Sequence, residues 1–192
     1  MLRSFMNTSA KLEVIGLSGT LASGKDTVSH YLVESLGYTH VSTSDIVREI
    51  AMEEEGSVER PVLYEVAKRH RYAEGAGFLV MRGLEKPKPL VISGLRTIGE
   101  AKAIKAAGGT LLFIDAPIEV RYERMKTRSR DSEIALTLDQ FRDNEQKEWH
   151  AGDNDADFNF RDIKAMSDVI VENVLPIDQF VELVVRKLGL TS

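Results

Sequence analysis

Val14-Ile15-Gly16-Leu17-Ser18-Gly19-Thr20-Leu21-Ala22-Ser23-Gly24-Lys25-Asp26-Thr27 begins as an apolar, β-like run and ends in a lysine framed by glycines. Gly19 and Gly24 enclose four residues and Lys25 follows at once, the spacing of a phosphate-binding loop between a strand and a helix. In such a loop, successive backbone N–H groups ring the phosphates while the lysine ammonium reaches their outer oxygens. A helix opening near Lys25 would aim the positive end of its dipole at the same anion. The usual pattern has Ser or Thr directly after the lysine; here Asp26 stands there and the hydroxyl follows at Thr27. A plain glycine turn accounts for the glycines. It does not account for the lysine, the strand before it and the helix after it together, so the expectation is a bound nucleoside triphosphate.

Outward from this loop, Val28, Tyr31, Leu32 and Leu36 recur at helical spacing, and Gly37 supplies a stop. Apolar segments at 12–17, 38–41, 90–92, 110–114 and 168–171 alternate with helical patterns, which predicts an α/β protein with a mostly parallel sheet wrapped by helices. Thr97 with Glu100 and Thr137 with Gln140 read as capping boxes; the first helix closes at Gly108-Gly109 and the second reaches about His150. Pro117 suits a first helical turn, and Pro176 begins a last helix that Gly189 ends. After the second strand, Ser44 or Asp45 can cap a helix with Arg48 one turn inside it. Residues 45–88 are mainly helical and too long for one simple crossover, so they read as an insertion, with Glu53-Glu54-Glu55 a solvated face. Asp153-Asn154-Asp155-Ala156-Asp157 has the early spacing of a calcium loop. Phe158 at the glycine turn position and Lys164 at the final glutamate position make it a polar, helix-ending loop instead.

The 192 residues are 43% hydrophobic, enough for the core of one domain, expected over residues 11–192 behind a loose leader at 1–10. A net charge of −5 argues against broad attraction to nucleic acid or anionic membrane. With no bilayer-length apolar run and no signal-peptide stretch, the expectation is a soluble cytoplasmic protein whose partners are small molecules. Zero cysteines exclude disulfides and thiol chemistry, and the four histidines show no metal-ligand grouping.

Basic chemistry must therefore be local. Arg96 follows the third strand at the sheet edge where α/β proteins place ligands. Arg121, Arg124 and Arg128 share one helical face, with Arg130 just beyond, and a guanidinium fork suits phosphate oxygens. The alternative is a solvated face paired with Glu119 and Glu123.

These residues carry a resemblance. Residues 19–27 match the loop spacing of nucleoside monophosphate kinases, and Gly24-Lys25-Asp26-Thr27 is similar to the loop ending of some phage deoxynucleotide kinases. Ser42-Thr43-Ser44-Asp45-Ile46-Val47-Arg48 resembles the Ser-Thr-Gly-Asp-x-x-Arg stretch of adenylate kinases, and Ser93-Gly94-Leu95-Arg96 their Asp-Gly-x-x-Arg, with Ser93 in place of the acid. Arg124-x-x-x-Arg128 looks like their lid arginines. Residues 167–173 are similar to the last strand of dephospho-CoA kinases and little-characterised archaeal relatives, with the loop at Asn173 approaching adenine.

The resemblance implies a three-layer P-loop kinase fold with a five-stranded parallel sheet, an acceptor-binding insertion at about 45–88 and a short lid at about 128–137. It implies ATP over Gly19, Thr20, Leu21, Ala22, Ser23, Gly24, Lys25, Asp26 and Thr27, with Arg124 and Asn173 also on the donor. The acceptor falls to Thr43, Asp45, Arg48 and Arg96, and Mg²⁺ to Thr27 and Asp45, directly or through water. Lys25, Arg96, Arg124 and Arg128 would neutralise the moving phosphoryl group. Two alternatives remain open: a dephospho-CoA kinase using Asp45 as base, and a regulatory nucleotide binder without turnover.

Overall fold

Each expected apolar run becomes a strand of one sheet. The computed structural model describes residues 12–127 and 136–190. Its strands are β1 (Val14–Gly19), β2 (Thr39–Ser42), β3 (Leu90–Leu95), β4 (Thr110–Asp115) and β5 (Val169–Glu172). All pairings are parallel, and the order β2-β3-β1-β4-β5 puts the loop-bearing strand in the centre.

β1 is buried along its whole length, which is why it reads as a nearly continuous apolar run. Alternation along the strands instead divides side chains between two layers. Ile15, Leu17, Val91, Leu112 and Ile114 pack with Val28 and Leu32 of α1 (Lys25–Leu36) and with Phe180 and Val184 of α9 (Ile177–Lys187). Val14, Leu90, Ile92, Leu111 and Phe113 pack the opposite way, on Ala101 and Ile104 of α5 (Ile98–Ala106) and on Phe160 and Ile163 of α8 (Phe160–Met166). The result is the three-layer α/β arrangement, with helices on both faces.

Between β2 and β3 the chain forms α2 (Thr43–Glu55), α3 (Arg60–Glu74) and α4 (Phe78–Gly83). These helices share an apolar cluster of their own, centred on Val47, Ile50, Ala51, Val66, Ala67, Phe78 and Leu79. Glu53, Glu54 and Glu55 are exposed, as expected, and two of them reach across to α3: Arg69 donates to Glu54 and Glu55, and His70 contacts Glu54. Exposed pairs of this kind are screened by water and contribute little, so the apolar cluster holds the helices together.

Both expected capping boxes form, at Thr97 and Thr137. The cap of α2 differs from expectation. Ser42 rather than Ser44 or Asp45 accepts the capping bond, from the Asp45 N–H, because β2 runs to Ser42 and passes into the helix without an intervening loop. The helix α6 (Ile118–Thr127) follows Pro117, and α7 (Leu138–Trp149) precedes the polar turn at 150–159. In that turn Asp157 accepts the Asn154 N–H and Asn154 the Ala156 N–H, a closed local network. Among the described residues, no helix is long and apolar enough to cross a membrane.

Leu32 is fully buried between the sheet and α9. Leu32→Ala should cost about 2–5 kcal/mol in denaturant unfolding, with the folded far-ultraviolet spectrum unchanged.

Candidate functional site

The phosphate loop owes its shape to what stands behind it. Gly19 has a φ of 143°, and a Cβ there would lie 2.0 Å from the Ile114 carbonyl oxygen of β4. Gly24, the N-cap of α1, has a φ of 105°, and a Cβ there would meet Asn173 Nδ2 at 2.3 Å. Only glycine allows both approaches. Asn173, just past β5, is buried and donates from its amide to the Ser23 carbonyl at 2.8 Å; Arg124 in turn donates to the Asn173 carbonyl at 3.1 Å.

A carboxylate grips the start of the loop. The Thr20 hydroxyl donates to Asp115 Oδ1 at 2.9 Å, and Asp115 also accepts the Ala116 N–H at 2.9 Å and Lys164 Nζ at 2.8 Å. Burial pushes the Asp115 carboxyl up, but the hydrogen bonds from Lys164 and Thr20 outweigh it and hold the group below the usual carboxylate range.

Within the loop, Lys25 Nζ donates to the carbonyls of Gly19 at 2.9 Å and Thr20 at 2.6 Å. Ser23 is fully buried, and its hydroxyl has no hydrogen-bond partner among the described residues. An orphaned buried hydroxyl beside a lysine, at a helix N-terminus, fits a bound phosphate that supplies the missing oxygen.

A cleft of about 650 Å³ opens from this loop toward the insertion. Gly19, Leu21, Ala22, Ser23, Gly24, Lys25 and Asp26 line it on the loop side; Thr43, Arg48 and Arg96 line it from α2 and the end of β3. Thr43 is buried and its hydroxyl donates to the Gly94 carbonyl at 2.9 Å, tying α2 to β3. Arg48 pairs with Asp45 at 2.6 Å and Arg96 with Glu148 of α7 at 3.2 Å, both pairs exposed enough to exchange with water. Ser93 stands where the resembling kinases carry an acid, and its hydroxyl lies 2.8 Å from His40 Nε2.

Other expected residues lie elsewhere. Thr20, Thr27, Asp45, Arg124 and Asn173 do not line the cleft: Thr20 turns to Asp115, Asp45 points outward to Arg48, and Arg124 and Asn173 stand behind the loop. Arg128 and Arg130 lie outside the described residues, as does most of the expected lid at 128–137.

Arg121 corrects the reading of an arginine face for phosphate. It is 3% exposed, donates from Nε to the Ala116 carbonyl at 2.6 Å, and grips Glu145 of α7 with both terminal nitrogens. Its ion pair joins α6 to α7, and Arg121 lines a separate hollow with Thr20, Asp115 and Trp149 rather than the cleft. Among the described residues, no group of three or more His, Cys, Asp or Glu could hold a metal. A divalent cation would depend on nucleotide phosphates, with Asp26 on the cleft wall and Thr27 in the first turn of α1 as neighbouring oxygens.

Arg71 also lines this cleft, and nothing in the sequence pointed to it. It sits in the basic run Lys68-Arg69-His70-Arg71, yet it is only 7% exposed.

A family model described as an AAA domain matches residues 15–150. A shikimate kinase of Aquifex aeolicus is 32% identical over 131 residues, 67% of this chain and 74% of that one. The chain belongs to the P-loop kinase family. This P-loop kinase relative is also 29% identical over 182 residues to a UPF0200/UPF0201 protein of Archaeoglobus fulgidus, covering 90% of this chain; it spans about half that relative's length, 54%. The structure of a shikimate kinase from Bacteroides thetaiotaomicron shares the fold, with a TM-score of 0.63 at 13% identity over 91% of this chain and 97% of that one.

The lowered Asp115 titration predicts a pH dependence. A carboxyl that titrates lower in the folded than in the unfolded state stabilises the fold above its ordinary value and loses that contribution as pH falls through the folded one. Asp115→Asn should lower the melting temperature at neutral pH, and its melting curve should converge on that of the parent protein in acid.

Proposed function

We propose that this chain is an ATP-dependent phosphotransferase that moves the γ-phosphoryl group of ATP to a nucleoside or deoxynucleoside monophosphate. One observation carries the reading: a single cleft joins the phosphate loop to three arginines, Arg48, Arg60 and Arg96, and to the rings of Tyr64 and Phe158. In a protein of net charge −5, such a local concentration of guanidinium suits an anionic acceptor, and the rings suit a planar base.

Lys25 would leave the loop carbonyls for the β and γ oxygens, and the Ser23 hydroxyl and the N-terminus of α1 would hold the same phosphates. Arg96 and Arg48 would exchange their exposed carboxylate partners for the acceptor phosphate and set it in line with the γ phosphorus. Arg124 and Asn173 support the reading as braces that keep the loop open to phosphate. Mg²⁺, if bound with the nucleotide beside Asp26 and Thr27, would supply neutralisation of phosphate charge.

A phosphate acceptor needs no strong general base. That agrees with the cleft, whose described lining contains no histidine. Asp45 as the base of a dephospho-CoA kinase finds less support, because it is 66% exposed, paired with Arg48 and off the cleft wall. Similarity to a shikimate kinase keeps a hydroxyl acceptor in the comparison, with Asp26 a carboxylate on the loop side of the cleft and Glu148 another beside Arg96.

The test is magnesium-dependent ADP formation across nucleoside and deoxynucleoside monophosphates, shikimate and dephospho-CoA, with Lys25→Ala as control. The expected result is a Lys25-dependent signal with a monophosphate; turnover of only shikimate or dephospho-CoA, or ATP binding without transfer to any acceptor, would overturn it. Arg48→Ala and Arg96→Ala should each raise KM for the acceptor about tenfold or more while leaving KM for ATP nearly unchanged, as steady-state kinetics would read.

A further inference from the structure

Arg71 occupies the last turn of α3, and the little surface it exposes opens onto the cleft. Its Nη2 donates to Glu100 Oε1 at 3.1 Å, and Glu100 is fully buried. Its Nε is buried and has no hydrogen-bond partner among the described residues. The guanidinium lies 5.3 Å from the centre of the Phe158 ring, and that of Arg96 lies 5.4 Å from the same ring. Tyr64 meets the ring edge-on at 6.1 Å, and a bridge pairing between Phe158 and Thr97 holds the ring in place. The other oxygen of Glu100 accepts the N–H groups of Arg96 at 2.7 Å and Thr97 at 3.2 Å. One carboxylate thus sets both the backbone of Arg96 and the side chain of Arg71.

Charge decides what this guanidinium can take. Arg48 and Arg96 hold exposed carboxylates that water can replace, so each can turn to a phosphate. Arg71 is pressed against a buried carboxylate, and the pair has no net charge. A phosphate brought beside it would face Glu100 at short range in a low dielectric. An uncharged acceptor atom meets no such repulsion, and Arg71 retains N–H donors that Glu100 does not take. Phe158 and Tyr64 beside it offer ring surfaces to a planar partner.

We infer that Arg71 is a specificity residue of the acceptor site, donating to an uncharged oxygen or ring nitrogen of the acceptor's base, with Glu100 as its positioning residue. The inference rests on the reading of the cleft as a monophosphate site. The arginines of the cleft then have different roles, with Arg48 and Arg96 holding the phosphate while Arg71 reads the base.

Calorimetric titration of the full chain with nucleoside monophosphates, with ribose 5-phosphate carried to saturation, and with ATP separates these roles. The variants are Arg71→Lys and the double substitution Arg71→Met with Glu100→Gln, which removes both buried charges together and so avoids stranding one of them. Both should weaken the best monophosphate about tenfold or more while leaving ribose 5-phosphate and ATP within about twofold. Equal weakening of the monophosphate and ribose 5-phosphate in the double variant would overturn the inference, as would no weakening of either. If the parent protein binds ATP but no monophosphate, the monophosphate reading fails first, and this inference fails with it.

Discussion

The close approach of Gly19 to the Ile114 carbonyl, and of Gly24 to the Asn173 amide, is the constraint on which the cleft depends. A loop that presents its N–H groups to an anion must aim its carbonyls elsewhere and needs partners for them. Here Asn173 takes the Ser23 carbonyl, and Lys25 takes those of Gly19 and Thr20. Asp115 fixes Thr20 from the other side. The ends of β4 and β5 therefore shape the loop that leaves β1, which places the phosphate site at the C-terminal edge of the sheet. The lysine's bonds to its own loop are the kind that a phosphate can displace, since carbonyls compete weakly with charged oxygens for an ammonium.

Two buried arginine–carboxylate pairs frame this arrangement. Arg121 with Glu145 locks α6 onto α7 beside the loop, and Arg71 with Glu100 locks α3 onto the start of α5 at the far wall of the cleft. Buried pairs of this type add little net stability, because desolvation offsets most of their attraction. Their effect is positional: Arg121 grips Glu145 with both terminal nitrogens, and Arg71 is held to Glu100 through one. Glu100 shows this most clearly, since it also completes the capping box of α5 and fixes the Arg96 backbone. The insertion, by contrast, holds together through its apolar cluster and is tied to the sheet by few polar contacts, Thr43 to Gly94 among them.

The strands, the phosphate loop, the insertion and both capping boxes could be read from local sequence, because each depends on neighbours in the chain: apolar runs, glycine spacing, a hydroxyl three residues before a carboxylate or amide. Thr43 and Arg48, which the resemblance to adenylate kinases singled out, line the cleft, as does Arg96, which follows the C-terminal end of a parallel strand where ligands gather. What the sequence could not decide was which charged residues face the cleft. Arg121 and Arg124 share a helical face, yet one is buried against Glu145 and the other supports Asn173. Arg71 looks like one charge in a basic run, yet it lies in the cleft wall. Those outcomes depend on partners 24 to 49 residues away in the chain. Only the packing of α3 on α5, of α6 on α7 and of β5 beside β4 brings those partners within hydrogen-bond reach, and it is this proximity that sets the burial and charge state of each group.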